Sequence, residues 1–289
     1  MTVDIIIPTY NRASLLSEAL KSVQSQTYED WLCWIAEDGE SPKTRDAVRP
    51  FLADKRFIYL PGKHIGYPAA PRNRAIRQGS AQLVAFLDDD DLWFPAKLER
   101  QVEFLEHNTE CVLLGTNALR WDGICAKEDA PLYHQKISFG LIPYKKLVQE
   151  NVFIISSVLT RREILLQAGL FNKSLTPPVG EDYELWLRLG AMGETWMLAE
   201  PLLVYRESRP TYYAKKMDRE TKYRLKADIY SAALQGMPGY PSPLDAPGKK
   251  YYAALCRAER DFYRAGPRFM DRFRRTVSKK IKSFAAFQK

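Results

Sequence analysis

Short β-branched runs alternate with helical patterns along the first 120 residues. Val3 to Ile7 reads as a strand ended by Pro8, and residues 13 to 24 then set Leu16, Leu20 and Val23 at helical spacing. A second apolar run, Trp31 to Ala36, stops at Glu37-Asp38-Gly39. A polar helix over about 42 to 53, a strand at Phe57 to Leu60 and a Gly/Pro-rich turn from Pro61 to Pro71 come next. Arg72 to Arg77 reads as helix and Leu83 to Leu87 as a continuous apolar strand. Pro95 then opens a helix with Leu98, Val102 and Leu105 on one face, followed by a strand from Cys111 to Leu114.

Strands that are apolar throughout, separated by helices, are the pattern of a parallel sheet covered on both faces. The predicted class is therefore α/β, with a Rossmann-like, mostly parallel central sheet flanked by helices. In such sheets ligands bind beyond the carboxyl ends of the strands. Pro8-Thr9-Tyr10-Asn11, Glu37-Asp38-Gly39 and Asp88 to Asp91 all fall at those ends and are predicted to face one cleft.

The second half is less regular. Val152 to Thr160 reads as a strand and Arg161 to Ala168 as a short helix stopped by Gly169. Gly180-Glu181-Asp182 opens an amphipathic helix carrying Leu185, Leu189 and Met192, and strands near Trp196 to Leu198 and Leu202 to Arg206 complete the core. The division predicted is a catalytic unit over 1–211, made of a nucleotide-binding half (1–120) and an acceptor-side half (121–211). A helical, basic C-terminal extension over 212–289 follows.

Composition narrows the classes. A chain of 289 residues with 46% hydrophobic and 27% charged residues is globular rather than disordered. The longest largely apolar stretch, Val152 to Leu159, is too short to span a bilayer, and the start lacks a basic n-region, so a cytoplasmic location is expected. Cys33, Cys111, Cys125 and Cys256 form no zinc spacing, and buried thiols are expected of them. The net charge of +8 is carried by the tail: residues 249–289 hold 13 Lys and Arg against 3 Asp and Glu, leaving 30 against 32 elsewhere. The tail interleaves those cations with aromatics, a pattern suited to an anionic membrane surface or to packing on the core. Nucleic-acid binding has no recognised module behind it.

The four aspartates of FLDDDDLWFP raise the sharpest chemical question. Two like charges about 4 Å apart repel by about 4 kcal/mol at an effective dielectric near 20. A divalent cation would offset that repulsion, and carboxylates with waters and substrate phosphates suit Mg²⁺ or Mn²⁺. Helix capping by the aspartates is the structural alternative. A haloacid-dehalogenase-type phosphatase would place Asp-x-Asp-x-Thr after the first strand, and a nucleotidyltransferase would place a Gly-rich basic loop there. This chain has PTYNR, and it has no P-loop or dinucleotide fingerprint. Metal-assisted transfer from a nucleoside diphosphate is what remains.

IIIPTYNRASLLSEALKSVQSQTYEDW, AEDGESPKTRD, GYPAAPRNRAI, VAFLDDDDLWFPAKLERQV and GEDYELWLRL, in that order, resemble family 2 glycosyltransferases of the A-type fold over residues 1 to 206. The resemblance implies a metal-dependent, inverting enzyme that moves a sugar from a nucleoside-diphosphate donor, with UDP expected, to a saccharide or lipid-linked acceptor. A nucleotide-sugar-binding subunit without turnover is the alternative. It implies nucleotide-sugar contacts at Pro8, Thr9, Tyr10, Asn11, Glu37, Asp38, Arg72, Asn73, Asp88 and Asp89. Tyr10 would stack on the base and Asp38 would accept a base N–H, while Glu37 departs from the commoner aspartate. Asp90, with Asp88, would hold Mn²⁺ or Mg²⁺, and Asp91 would cap the helix after Pro95. Asp182 or Glu181 would be the general base, with Asp182 favoured. Oligomeric state, donor sugar and linkage have no readable signal.

Overall fold

The computed structural model describes residues 1–207 apart from 125, 136–138 and 176–178, together with 228, 229, 232 and 233. The helical reading of 212–289 and the membrane contact expected of 249–289 thus lie outside the described residues, those four positions aside. Among the described residues, no helix is long and apolar enough to cross a membrane.

The strands are β1 (Val3–Thr9), β2 (Trp31–Glu37), β3 (Phe57–Leu60), β4 (Leu83–Phe86), β5 (Leu92–Trp93), β6 (Cys111–Trp121), β7 (Gly140–Ile142), β8 (Leu159–Arg161) and β9 (Glu194–Arg206). The helices are α1 (Ala13–Gln24), α2 (Pro42–Val48), α3 (Ala69–Gln78), α4 (Lys97–His107), α5 (Tyr144–Gln149), α6 (Arg162–Ala168) and α7 (Glu181–Gly190). One sheet runs in the order β3-β2-β1-β4-β8-β6-β9-β5, with β7 on β9. The β3-β2-β1-β4 part is parallel, as the sequence predicts. Beyond it β8 is antiparallel to both β4 and β6, so the second half of the sheet is mixed.

Alternation along β1 builds both cores, because successive side chains leave opposite faces. Ile5 and Ile7 join Leu16, Leu20 and Val23 of α1, while Ile6 joins Val84, Phe86, Phe171 and Trp186 on the other side. Trp186 is a core residue, fully buried near Phe86 and Phe171. Asp4, fully buried within β1, is tolerated because its carboxylate is ion-paired to Arg162 and accepts bonds from Trp34 Nε1 at 2.7 Å and Ala81 N–H at 3.0 Å. Cys33 and Cys111 are buried free thiols, as expected, while Cys125 and Cys256 lie outside the described residues.

Several elements differ from the sequence reading. Pro95 does not open α4: it sits in a turn, and the helix starts at Lys97 behind an N-cap, Ala96, that makes no side-chain cap bond. Pro50 follows α2, and a separate short 3-10 turn spans Phe51–Ala53. The apolar run from Val152 forms a 3-10 turn, Ile155–Ser157, before β8. The two strands read near 196 and 202 are one strand, β9, carrying Pro201 beside a register shift against β6.

Gly169 ends α6 in the left-handed region at φ 84°, and its N–H bonds back to the Leu166 carbonyl at 3.0 Å. An L side chain is disfavoured there. Gly169→Ala is expected to cost about 1 kcal/mol, read as a lowered urea midpoint with an unchanged slope.

Candidate functional site

Register brings the three polar clusters to one edge. Thr9 lies level with Glu37 and Ile6 with Phe86, so β1, β2 and β4 release their next residues into the same space. The Asp38 N–H bonds to the Thr9 carbonyl at 2.9 Å and the Leu87 N–H to that of Ile6 at 3.1 Å. Asn11 turns the chain from β1 into α1 at φ 55°, a left-handed conformation that asparagine tolerates.

On the β2 side, Glu37 is buried and holds the Ser41 N–H at 3.1 Å and the Tyr59 hydroxyl. Asp38 accepts the N–H groups of Ile65 and Gly66 at 2.8 Å each, and His64 Nδ1 lies 3.1 Å from its Oδ2. The His64 ring stacks on Tyr10 with centroids 4.3 Å apart and planes 14° from parallel. The Tyr10 ring expected to receive a base is therefore already paired with His64, which the sequence reading did not select.

The aspartates of the loop after β4 take separate partners. Asp89 is buried, accepts the Thr9 hydroxyl at 2.7 Å and meets Arg12 Nη1 at 3.1 Å. The same guanidinium reaches Asp90 Oδ2 at 2.7 Å. Burial drives the Asp89 carboxyl up to about 6 against the pull of Thr9 and Arg12. Burial and then the charge of Asp88 raise Asp90 as well.

Asp91 does not cap α4, because its Oδ1 accepts the Arg206 N–H at 2.9 Å and so ties the loop to the end of β9. Its other oxygen is buried without a hydrogen-bond partner. Burial, then Asp88 and Asp90, push its carboxyl well up. Asp88, Asp90 and Asp91 each offer an oxygen within 4.8 Å of the others. Three crowded carboxylates, one of them carrying an unpartnered buried oxygen, fit a divalent cation such as Mg²⁺ or Mn²⁺. The pair Asp88 and Asp90 expected from the sequence is thus joined by Asp91.

A single buried guanidinium connects this loop to α7. Arg72, 3% exposed, donates from Nη2 to Asp88 at 2.6 Å and from Nη1 to Glu181 at 2.9 Å. Asn73, one residue on, spends both polar ends on the backbone of Phe171, at 2.8 and 3.0 Å. Pro8 is buried and lies level with Ala36.

Asp182 stays partly open to solvent and accepts Asn151 Nδ2 at 3.2 Å. Burial, followed by the adjacent Glu181 charge, raises its carboxyl to about 6. Sequence reasoning missed Arg12, His64 and Asn151. Arg12 stood inside the quoted PTYNR motif, but Asn151 lies in a stretch without periodic signal.

Known proteins place this architecture. The model for "Glycosyl transferase family 2" matches residues 4–165. The UDP-Glc:alpha-D-GlcNAc-diphosphoundecaprenol beta-1,3-glucosyltransferase WfgD of Escherichia coli is 33% identical over 190 residues, covering 65% of this chain and 69% of that protein. An uncharacterized glycosyltransferase of Rickettsia bellii is 31% identical over 192 residues, and there the match covers only 26% of the relative's length. Among solved structures, S. aureus TarS 1-349 in complex with UDP-GlcNAc superposes with a TM-score of 0.70 at 16% identity, covering 90% of this chain and 72% of that one. A Pyrobaculum calidifontis mannosyltransferase in complex with GDP-Man and Mn2+ gives 0.59 at 17% identity, covering 99% and 79%. These structural likenesses identify the fold as the mixed α/β sheet of the A-type glycosyltransferases. With the match spanning more than half of the sequence, the chain belongs to glycosyl transferase family 2.

Proposed function

We propose that the chain is an inverting, metal-dependent glycosyltransferase that moves a sugar from a UDP-linked donor to a hydroxyl of a saccharide carried on a lipid diphosphate. The observation that carries this reading is the Arg72 bridge, which joins the aspartate loop to the acidic pair opening α7. In this reading a cation-binding side and a basic carboxylate share one cleft. The WfgD activity supplies the acceptor class by similarity.

In this reading the nucleotide lies across the ends of β1 and β2, against Thr9, Tyr10 and Asp38. Asp88 and Asp90, with Asp91, would hold Mn²⁺ or Mg²⁺, which supplies positive charge for the departing diphosphate. Asp182 takes the proton of the acceptor hydroxyl as that oxygen attacks the anomeric carbon from the face opposite the diphosphate. Glu181, already paired with Arg72, positions the loop rather than accepting a proton.

A thermal-shift panel of UDP, GDP and dTDP sugars, with and without Mn²⁺, tests the donor side. A ligand at about 100 times its Kd adds about 2.7 kcal/mol, and the UDP-sugars with Mn²⁺ are expected to give the largest rise. Asp90→Asn should remove the part that depends on Mn²⁺. A nucleotide shift indifferent to metal in the wild type would contradict the assignment of Asp90.

A further inference from the structure

Asn117 on β6 is fully buried and uses its amide as a substitute backbone. Oδ1 accepts the His134 N–H at 3.1 Å, and Nδ2 donates to the His134 carbonyl at 3.2 Å. With the Tyr133 N–H on the Ala118 carbonyl at 2.8 Å and the bridge between Leu119 and Leu132, this fixes residues 131–134 along β6. His134 Nε2 stands 2.8 Å from the Val152 carbonyl, so that nitrogen carries the proton. The preceding residue, Asn151, is the one that donates to Asp182, while its Oδ1 accepts the Phe153 N–H at 3.2 Å. A line of hydrogen bonds and short backbone steps therefore runs from Tyr133 to Asp182.

Tyr133 is held in orientation but not covered. The His134 ring lies 4.8 Å away at 86° and the Tyr205 ring 5.3 Å away at 78°, yet 39% of Tyr133 remains exposed. Burial, opposed by Arg120 and aided by Asp182, Glu207 and Asp91, raises its hydroxyl pKa. The ring thus contacts Tyr205, whose neighbour Arg206 donates its N–H to Asp91 of the aspartate loop.

We propose that Tyr133 is the platform of the acceptor subsite, packing against the ring of a pyranose whose attacking hydroxyl is carried to Asp182. The inference rests on the glycosyltransferase reading and deepens it. An exposed aromatic held by its neighbours offers apolar area at low entropic cost, and it suits the C–H face of a sugar whose hydroxyls turn toward carboxylates. Asn117 and His134 are positioning residues, since they set the platform without reaching the cleft themselves.

The test uses the full chain with UDP and Mn²⁺. Binding of methyl glycopyranosides of glucose, galactose and N-acetylglucosamine is read by saturation-transfer NMR, and UDP affinity by calorimetry. At least one glycoside should bind the wild type, and Tyr133→Ala should weaken it about tenfold, with UDP affinity unchanged. Tyr133→Phe, which keeps the ring, should stay within about twofold of the wild type. Equal glycoside affinity in Tyr133→Ala, or a wild type that binds UDP but no glycoside, overturns the platform alone. A wild type that binds no UDP overturns the UDP-donor reading on which the platform rests.

Discussion

Asp182→Asn should lose about 10²- to 10⁴-fold in kcat, with donor affinity preserved. The asparagine keeps the shape and can still bond Asn151, but it cannot take a proton from a sugar hydroxyl. The pH profile gives an independent reading of the same group. Burial and the neighbouring Glu181 place the Asp182 carboxyl at about 6, so the wild-type rate should fall as pH drops through that value. Asp89 is raised to a similar level, but a bound cation favours its charged form and draws its titration downward. At saturating metal and donor the acid limb therefore reports Asp182.

Asn151 supplies the second arm of this experiment. Its amide bonds the charged carboxylate, so Asn151→Ala should move the acid limb upward and leave the plateau rate less affected. Glu181→Gln should act differently, disturbing the Arg72 bridge and stability more than the pH profile. Full transfer by Asp182→Asn would remove this residue from the role of base, and collapse in Glu181→Gln alone would transfer the role to its neighbour.

The parallel half of the fold was legible because β1 and β4 are buried on both faces, and β2 nearly so with only Leu32 and Trp34 half-buried, and they therefore read as apolar runs. The order β3-β2-β1-β4 then puts their polar ends together without further information. Periodicity failed where a polar group is met by a partner distant in sequence. The Val152 run breaks into a 3-10 turn because Ser156 and Ser157 serve the interior: the Ser156 hydroxyl takes the Asp88 N–H at 3.0 Å and the Ser157 carbonyl takes Gln101 at 2.9 Å. Asp91 was misassigned for a similar reason. Its partner, the Arg206 N–H, is 115 positions away, and no local pattern announces it. His64 and Asn151 escaped notice because each acts through a single tertiary contact, whereas Arg72 was readable from its motif but not its two partners.

Arg72→Met is the substitution expected to unfold the chain most readily. Methionine roughly fills the space, but it leaves Glu181 buried without a counter-charge and Asp88 beside three other aspartates. Removing one partner of a buried pair costs about 3 to 5 kcal/mol. Asp88 keeps about a third of its side chain in water (32% exposed), which places the expectation near the lower end, at about 3 kcal/mol. For a chain of this size that corresponds to a fall of about 6 to 12 °C in Tm. Two comparisons separate the charge argument from simple loss of packing. Adding Glu181→Gln to Arg72→Met should recover part of the stability, because the stranded charge is then gone. Mn²⁺ should raise the Tm of Arg72→Met more than that of the wild type, since Asp88 without its guanidinium is a stronger cation ligand. If neither recovery occurs, Arg72 matters for its volume and its contact with Phe171, whose ring centroid lies 5.4 Å from the guanidinium carbon, and the electrostatic link across the cleft is not what holds the two sides together.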